Sequence, residues 1–276
     1  MKIAYFPTQV ALNAQPVIDA FLQGCTHLGI ETVQNSTQAD AAVIWSVLWH
    51  GRMKSNESIY RLYRQQNKPV FVLEVGMLRR GITWKLGLNG TWAGCYPGEI
   101  TAGRAKDLHI DVNPWINSGY NVVIACQRSD SEQWTGQPPT IAWLTETARK
   151  IRQYTDKPIV IRPHPRQRIA SIPGCVIESP QPIPGTYDSF NYDQCLKTTW
   201  AVINYNSGPG AQAILNGVPA FVGATSLAAP VGNQDLAQIE NPLRPDRTQW
   251  IEQLAHTEWT IPEIASGLPL QRLLIS

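Results

Sequence analysis

No apolar run in this 276-residue sequence approaches the roughly 18 residues needed to cross a bilayer, so no membrane partner is expected. Cysteine is sparse. Cys25, Cys95, Cys126, Cys175 and Cys195 are odd in number, widely spaced and include no CxxC pair, which indicates neither a zinc site nor a disulfide framework. Free thiols in a reducing, cytoplasmic setting are expected. The opening run of residues 1–6, stopped by Pro7, reads as a first strand rather than a signal peptide. Charge of either sign is scarce in excess. With 23 Lys+Arg against 21 Asp+Glu, the net +2 lacks the surplus of a dedicated nucleic-acid binder but permits an anionic ligand. No DxD, HExxH or GxSxG occurs, so no metal ligand set or nucleophile elbow is expected. Walker A and GxGxxG loops are missing too, which argues against NTPase and NAD sites. Nor is there a repeat of solenoid period or a low-complexity tract.

What is present is alternation. Residues 2–6, 41–47 and 70–73 read as strands, and 16–28 and 55–66 as helices. Residues 87–90 mark a turn, expected in a hairpin. After a Pro- and Gly-bearing break over 94–117, a second series starts at 121. It has strands over 121–126, 158–162, 200–204 and 218–222 and helices over 141–154, 188–196, 210–216 and 246–255. Gly217 suits a helix C-cap and Asp246 an N-cap. Strands alternating with helices imply parallel sheets with crossover helices, an α/β fold. The length favours two domains, set at 1–118 and 119–276. Ten Trp suit either stackable binding surfaces or a Trp-rich core.

Two segments of the second half carry the strongest chemistry. Arg162-Pro163-His164-Pro165 ends a buried strand, where open α/β sheets bind ligands. The prolines stiffen the turn, and Arg162 and His164 are both able to donate to a phosphate. His164 also suits protonation of a leaving phosphate, or the plainer task of capping a helix. Asn204-Tyr205-Asn206-Ser207-Gly208-Pro209-Gly210 follows the next apolar run and opens a helix. Helix N-terminal amides, bare backbone at Gly208 and Gly210 and the side chains of Asn206 and Ser207 outline an anion site. The plain alternative is a strand-to-helix turn capped by Ser207. Gln127 and Arg128, on the turn after the first strand of this half, are further donor-side candidates. In the first half, Glu74 ends a strand and suits a general base, unless it pairs with Arg79 or Arg80. His50, Arg52, Arg80 and Trp84 are candidates for contacting an acceptor.

Together these segments resemble glycosyltransferases of the two-domain GT-B type. The resemblance is to the branch with a His-Pro motif and a Ser-containing phosphate turn, which includes capsule-type 3-deoxy-manno-octulosonate (Kdo) transferases and bacterial sialyltransferases. The chain is also similar, over nearly its full length, to short glycosyltransferase-like proteins of tailed phages. Glu74-Val75-Gly76, Trp84-Lys85 with Asn89-Gly90, Gln127-Arg128, the His-Pro segment and Tyr205-Asn206-Ser207 carry that likeness. The resemblance implies two Rossmann-like domains facing across a cleft, with the last helix running back over the first. It implies a nucleotide-sugar as co-substrate, no other cofactor and no metal. It assigns Glu74 and His164 to catalysis and Gln127, Arg128, Arg162, His164, Asn206, Ser207, Gly208 and Gly210 to the donor. The phage likeness points to a hydroxymethylated pyrimidine in DNA as acceptor, in the cytoplasm of a bacterial or phage-infected cell. A capsule or lipopolysaccharide saccharide is the other acceptor, and a non-catalytic nucleotide-binding module the other class.

Overall fold

The computed structural model describes residues 1–11, 13–96, 98–186 and 189–274. It separates into two compact α/β units, residues 1–110, 130–132 and 251–276 in the first and 111–129 and 133–250 in the second.

In chain order the first unit begins with β1 (Lys2–Tyr5), α1 (Gln15–His27), β2 (Glu31–Gln34), β3 (Ala41–Trp45), α2 (Asn56–Gln65), β4 (Val70–Val75), β5 (Thr83–Leu88) and the one-turn α3 (Arg104–Asp107). The second holds β6 (Asn121–Ala125), α4 (Thr140–Ile151), β7 (Ile159–Arg162), β8 (Cys175–Ile177), α5 (Tyr192–Leu196), β9 (Thr199–Asn204), α6 (Gly208–Leu215) and β10 (Ala220–Val222). The chain returns to the first unit within α7 (Thr248–Ala255), followed by β11 (Glu258–Thr260), α8 (Ile261–Ala265) and α9 (Leu268–Leu274).

The first sheet is ordered β11-β5-β4-β3-β1-β2. Its β1–β4 pairings are parallel, while β5 runs antiparallel to both β4 and β11. Both faces are covered, which is why β3 reads as an unbroken apolar run. Ala41, Val43 and Trp45 join Phe71 and Leu73 under α1, where Val17, Ile18 and Phe21 pack. Ala42 and Ile44 join Val70 and Val72 on the opposite face, against Ile59, Tyr60 and Tyr63 of α2. Each such side chain, fully buried, contributes about 1.5–3 kcal/mol relative to exposure.

The second sheet, β10-β9-β6-β7-β8, is parallel throughout. Val122, Ile124, Ile159, Ile161, Ala201 and Ile203 share a core with Leu144, Ala148 and Ile151 of α4. Helix α6 ends as expected. Gly217, at φ +79°, donates to Ile214 and Val218 donates to Ala213, the two bonds of a Schellman cap.

Several expectations are corrected. The hairpin joins β4 to β5 through residues 76–82, whereas residues 87–90 end β5 and turn away, with Asn89 at φ +64°. The helix expected over 188–196 is the five-residue Tyr192–Leu196; Asp188 lies outside the described residues. Helix α7 begins at Thr248 rather than at Asp246, whose carboxylate accepts the Thr248 N–H and hydroxyl at the helix start. β2, β5, β8 and β11 are additional strands.

Candidate functional site

The second sheet has a topological switch. From β6 the chain proceeds to β7 and β8 on one side, then to β9 and β10 on the other. The carboxyl edge at such a switch is where open α/β sheets take ligands, because adjacent connections leave in opposite directions. The turns after β6, β7 and β9 all lie on this edge, with β6 between the other two strands.

The β6 and β9 turns are locked together. Gln127 Nε2 donates to Asn206 Oδ1 at 2.9 Å, and the Asn206 amide N–H donates to Gln127 Oε1 at 3.1 Å. Asn206 Nδ2 reaches Thr225 Oγ1, after β10, and the Gln133 carbonyl. Both residues are buried, and both side chains are spent on the protein. Gln127 and Asn206 therefore shape the edge in this structure instead of presenting amides to a ligand.

Asn204, the last residue of β9, holds the next step. Its Nδ2 donates to the Ala125 carbonyl and to Ser207 Oγ, and its Oδ1 accepts the Ser207 N–H. Ser207 occupies the N-cap position of α6, but its hydroxyl makes no capping bond to the helix. The first-turn amides, beginning at half-buried Gly208, thus have no side-chain cap, and the helix dipole favours negative charge beside them. Gly210 is needed for a different reason than expected. A β-carbon there would stand 2.9 Å from Val222 Cγ1 and 3.2 Å from Asn204 Oδ1, so its bare backbone faces the protein interior.

After β7, His164 is half-buried between its prolines. Its Nδ1 accepts the Arg166 N–H at 3.2 Å, which puts the proton of the neutral ring on Nε2. Arg162 departs from expectation. It is 3 % exposed, and its guanidinium pairs with Glu178 and Asn191. Its guanidinium also lies 5.9 Å from the Tyr192 ring centroid, and Tyr192 Oη donates to the Pro209 carbonyl in the first turn of α6. Arg162 thus braces the edge from within. Arg128 is half-buried on the β6 turn. Burial pushes the nearby Cys126 thiol up to about 12, so it is no nucleophile at neutral pH.

In the first unit, β3 and β4 end side by side. Glu74 is half-buried; Ser46 Oγ donates to its Oε2, and the Val75 N–H donates to its Oε1 at 2.9 Å. Arg79 sends its guanidinium to the Leu108 carbonyl. The loop after Glu74 is held by a second carboxylate. Glu258, fully buried, accepts the Met77 and Leu78 amides and Thr83 Oγ1. A β-carbon at Gly76 would lie 2.1 Å from the Thr83 carbonyl oxygen, so the chain passes there only as glycine. Of the acceptor-side candidates, His50 is exposed with Nδ1 3.4 Å from Asp130, and Arg52 and Arg80 are exposed. Trp84 is not a stacking surface. It is 7 % exposed, inside the core, with its ring centroid 5.9 Å from that of Trp45.

Sequence reasoning missed Ser46, Tyr192 and Glu258 as residues that hold these edges together. A polar residue closing an apolar run was the available signal for Ser46, and the same signal marked Asn204 at the head of its segment. Glu258 has none nearby, because its partners lie about 175–181 residues away.

No protein-family model matches the sequence, and no curated protein matches it. Among solved structures, the chain is similar to the β-Kdo 2,7 transferase of Thermosulfurimonas dismutans KpsC, with 13 % identity, TM-score 0.56 and 98 % of this chain and 99 % of that chain covered. The β-Kdo 2,4 transferase of the same KpsC also matches, with 11 % identity, TM-score 0.49 and 93 % and 90 % covered. The fold is accordingly α/β and GT-B-like, with two Rossmann-like units.

Proposed function

We propose that the protein is a glycosyltransferase that moves a sugar from a nucleotide-sugar donor to a hydroxyl acceptor. The observation that carries this reading is the switch-point edge of the parallel sheet, where the uncapped α6 N-terminus follows β9 and the His164 turn follows β7. Uncapped amides and an Nε2–H donor suit a phosphate, and would stabilise the departing nucleotide as charge develops on it. The likeness in fold to a Kdo transferase over the full chain supports the same class.

In this reading His164, Ser207, the Gly208 backbone and Arg128 meet the donor, while Arg162, Gln127, Asn206 and Gly210 hold them in place. Glu74 is the general base that takes the acceptor proton, with His50, Arg52 and Arg80 on the acceptor side. No metal or further cofactor takes part, which full activity in chelator would support. For the acceptor, the phage likeness favours a hydroxymethylated pyrimidine in DNA, reached by flipping the base. The likeness to a Kdo transferase favours a saccharide.

The test is a mass-spectrometric screen. The protein is incubated with a panel of nucleotide-sugars and either hydroxymethylated DNA or oligosaccharides. A sugar increment on any acceptor, absent with Glu74→Gln, is the expected result. An increment on saccharide alone removes DNA as acceptor. Nucleotide binding without transfer to anything, unchanged by Glu74→Gln, leaves a binding module and ends the enzyme reading.

A further inference from the structure

Ser46 is the first residue after β3 and has φ +65°, the left-handed region that residues with a β-carbon seldom occupy. Glycine is the ordinary solution at such a bend. The serine is 2 % exposed, so no solvent contact explains its hydroxyl. Its backbone continues the sheet, with the Ser46 N–H donating to the Leu73 carbonyl at 2.7 Å. The bend then sets the side chain beside the next residue of β4, which is Glu74. Ser46 Oγ accepts the Leu48 N–H at 3.1 Å and donates its own proton to Glu74 Oε2. With Val75 N–H on Oε1, both carboxylate oxygens are gripped by neutral donors. A carboxylate held on both oxygens by fixed donors keeps its orientation. A strained, buried side chain with its one proton committed to a candidate base is where backbone strain is found to serve function.

We propose that Ser46 is the positioning residue for Glu74, orienting its carboxylate toward the acceptor hydroxyl. This rests on the reading of Glu74 as general base. Two substitutions separate hydroxyl from strain. Ser46→Gly removes the hydroxyl and relieves the left-handed bend. Ser46→Ala removes the hydroxyl and keeps the bend strained. In both, kcat is expected to fall about tenfold to a hundredfold, the loss of one hydrogen bond to a charged group, with donor KM unchanged. The thermal midpoints diverge, the Gly variant matching or exceeding the parent and the Ala variant not. Were the serine only a structural residue, activity would follow thermal stability and the Gly variant would be fully active. That result overturns the proposal.

A readout independent of turnover is the carboxyl-carbon NMR signal of Glu74 in glutamate-labelled protein, assigned by its loss in Glu74→Gln. It is expected to shift in Ser46→Gly, and an unmoved signal refutes the contact. Full activity of Glu74→Gln would refute the base reading, whereas inactive Glu74→Gln beside fully active Ser46→Gly would refute Ser46 alone.

Discussion

The two strand-end edges treat buried polarity in opposite ways. At the β6 and β9 turns of the second unit the groups are neutral amides, Gln127, Asn204 and Asn206, closed on one another, on hydroxyls and on backbone, with Arg162 paired to Glu178 at the end of β7. In the first they are carboxylates, Glu74 and Glu258, closed on hydroxyls and backbone N–H groups. Neutral amides beside a helix N-terminus leave its positive potential intact for an anion. The first edge thus carries negative charge, whereas the second has an uncapped helix N-terminus that suits an anion.

The sharpest break of that comparison is Glu74→Gln. If the first edge supplies the base, transfer falls about 10²–10⁴-fold while nucleotide affinity is kept, read by initial rates and calorimetry. Gly76→Ala comes next. Its β-carbon has no room against Thr83, so the β4–β5 loop must shift, and a loss of about 1–3 kcal/mol is expected in denaturant unfolding.

The amide lock of the second unit is tested by a double-mutant cycle. Asn206→Ala strands the buried Gln127 amide and should cost about 1–3 kcal/mol. Paired with Gln127→Leu the costs should be less than additive, with a coupling of about 0.5–3 kcal/mol. Additive losses would dissolve the lock. His164→Ala should leave stability nearly unchanged, the ring being half-buried, yet weaken nucleotide binding about tenfold by titration.

The smallest effect concerns the return of the chain. Arg104 bonds Glu263 and the Ala255 and Glu258 carbonyls and lies 4.0 Å over the Trp259 ring. Burial alone would raise the Glu263 carboxyl, but the Arg104 bonds and the Thr260 N–H outweigh it and hold the group below its ordinary range. A depressed carboxylate stabilises the fold above the ordinary glutamate range, and that part is lost as pH falls through the folded value. Between pH 7 and pH 3 the parent should therefore lose more stability than Arg104→Met, by about 1 kcal/mol for this half-buried pair.

Sequence reading found the inner strands well and the outer ones poorly. β3, β4, β6, β7 and β9 are covered on both faces, so their apolar runs announce themselves. β2 is half-exposed, β8 is three residues long, and β11 pairs with β5 from far along the chain. α8 opens on a capping box of Thr260 and Glu263, yet was not among the helices read from the sequence. The site residues were found by type and turn position, but their tasks were not. Arg162 and Gln127 look alike in sequence whether they face a ligand or the interior.

Local chemistry alone settled that strands alternate with helices, where Gly217 stops α6, and that His164 sits in a stiff turn at a strand end. These follow from side-chain period, φ limits and proline geometry, all carried by neighbouring residues. Pairing over long sequence separation decided the rest: Glu258 beneath the Met77 loop, Asn206 on Gln127, Arg162 turned inward to Glu178 and Trp84 in the core. Burial belongs to the packed chain, so whether a polar group serves a ligand or the fold is fixed only once its surroundings have closed.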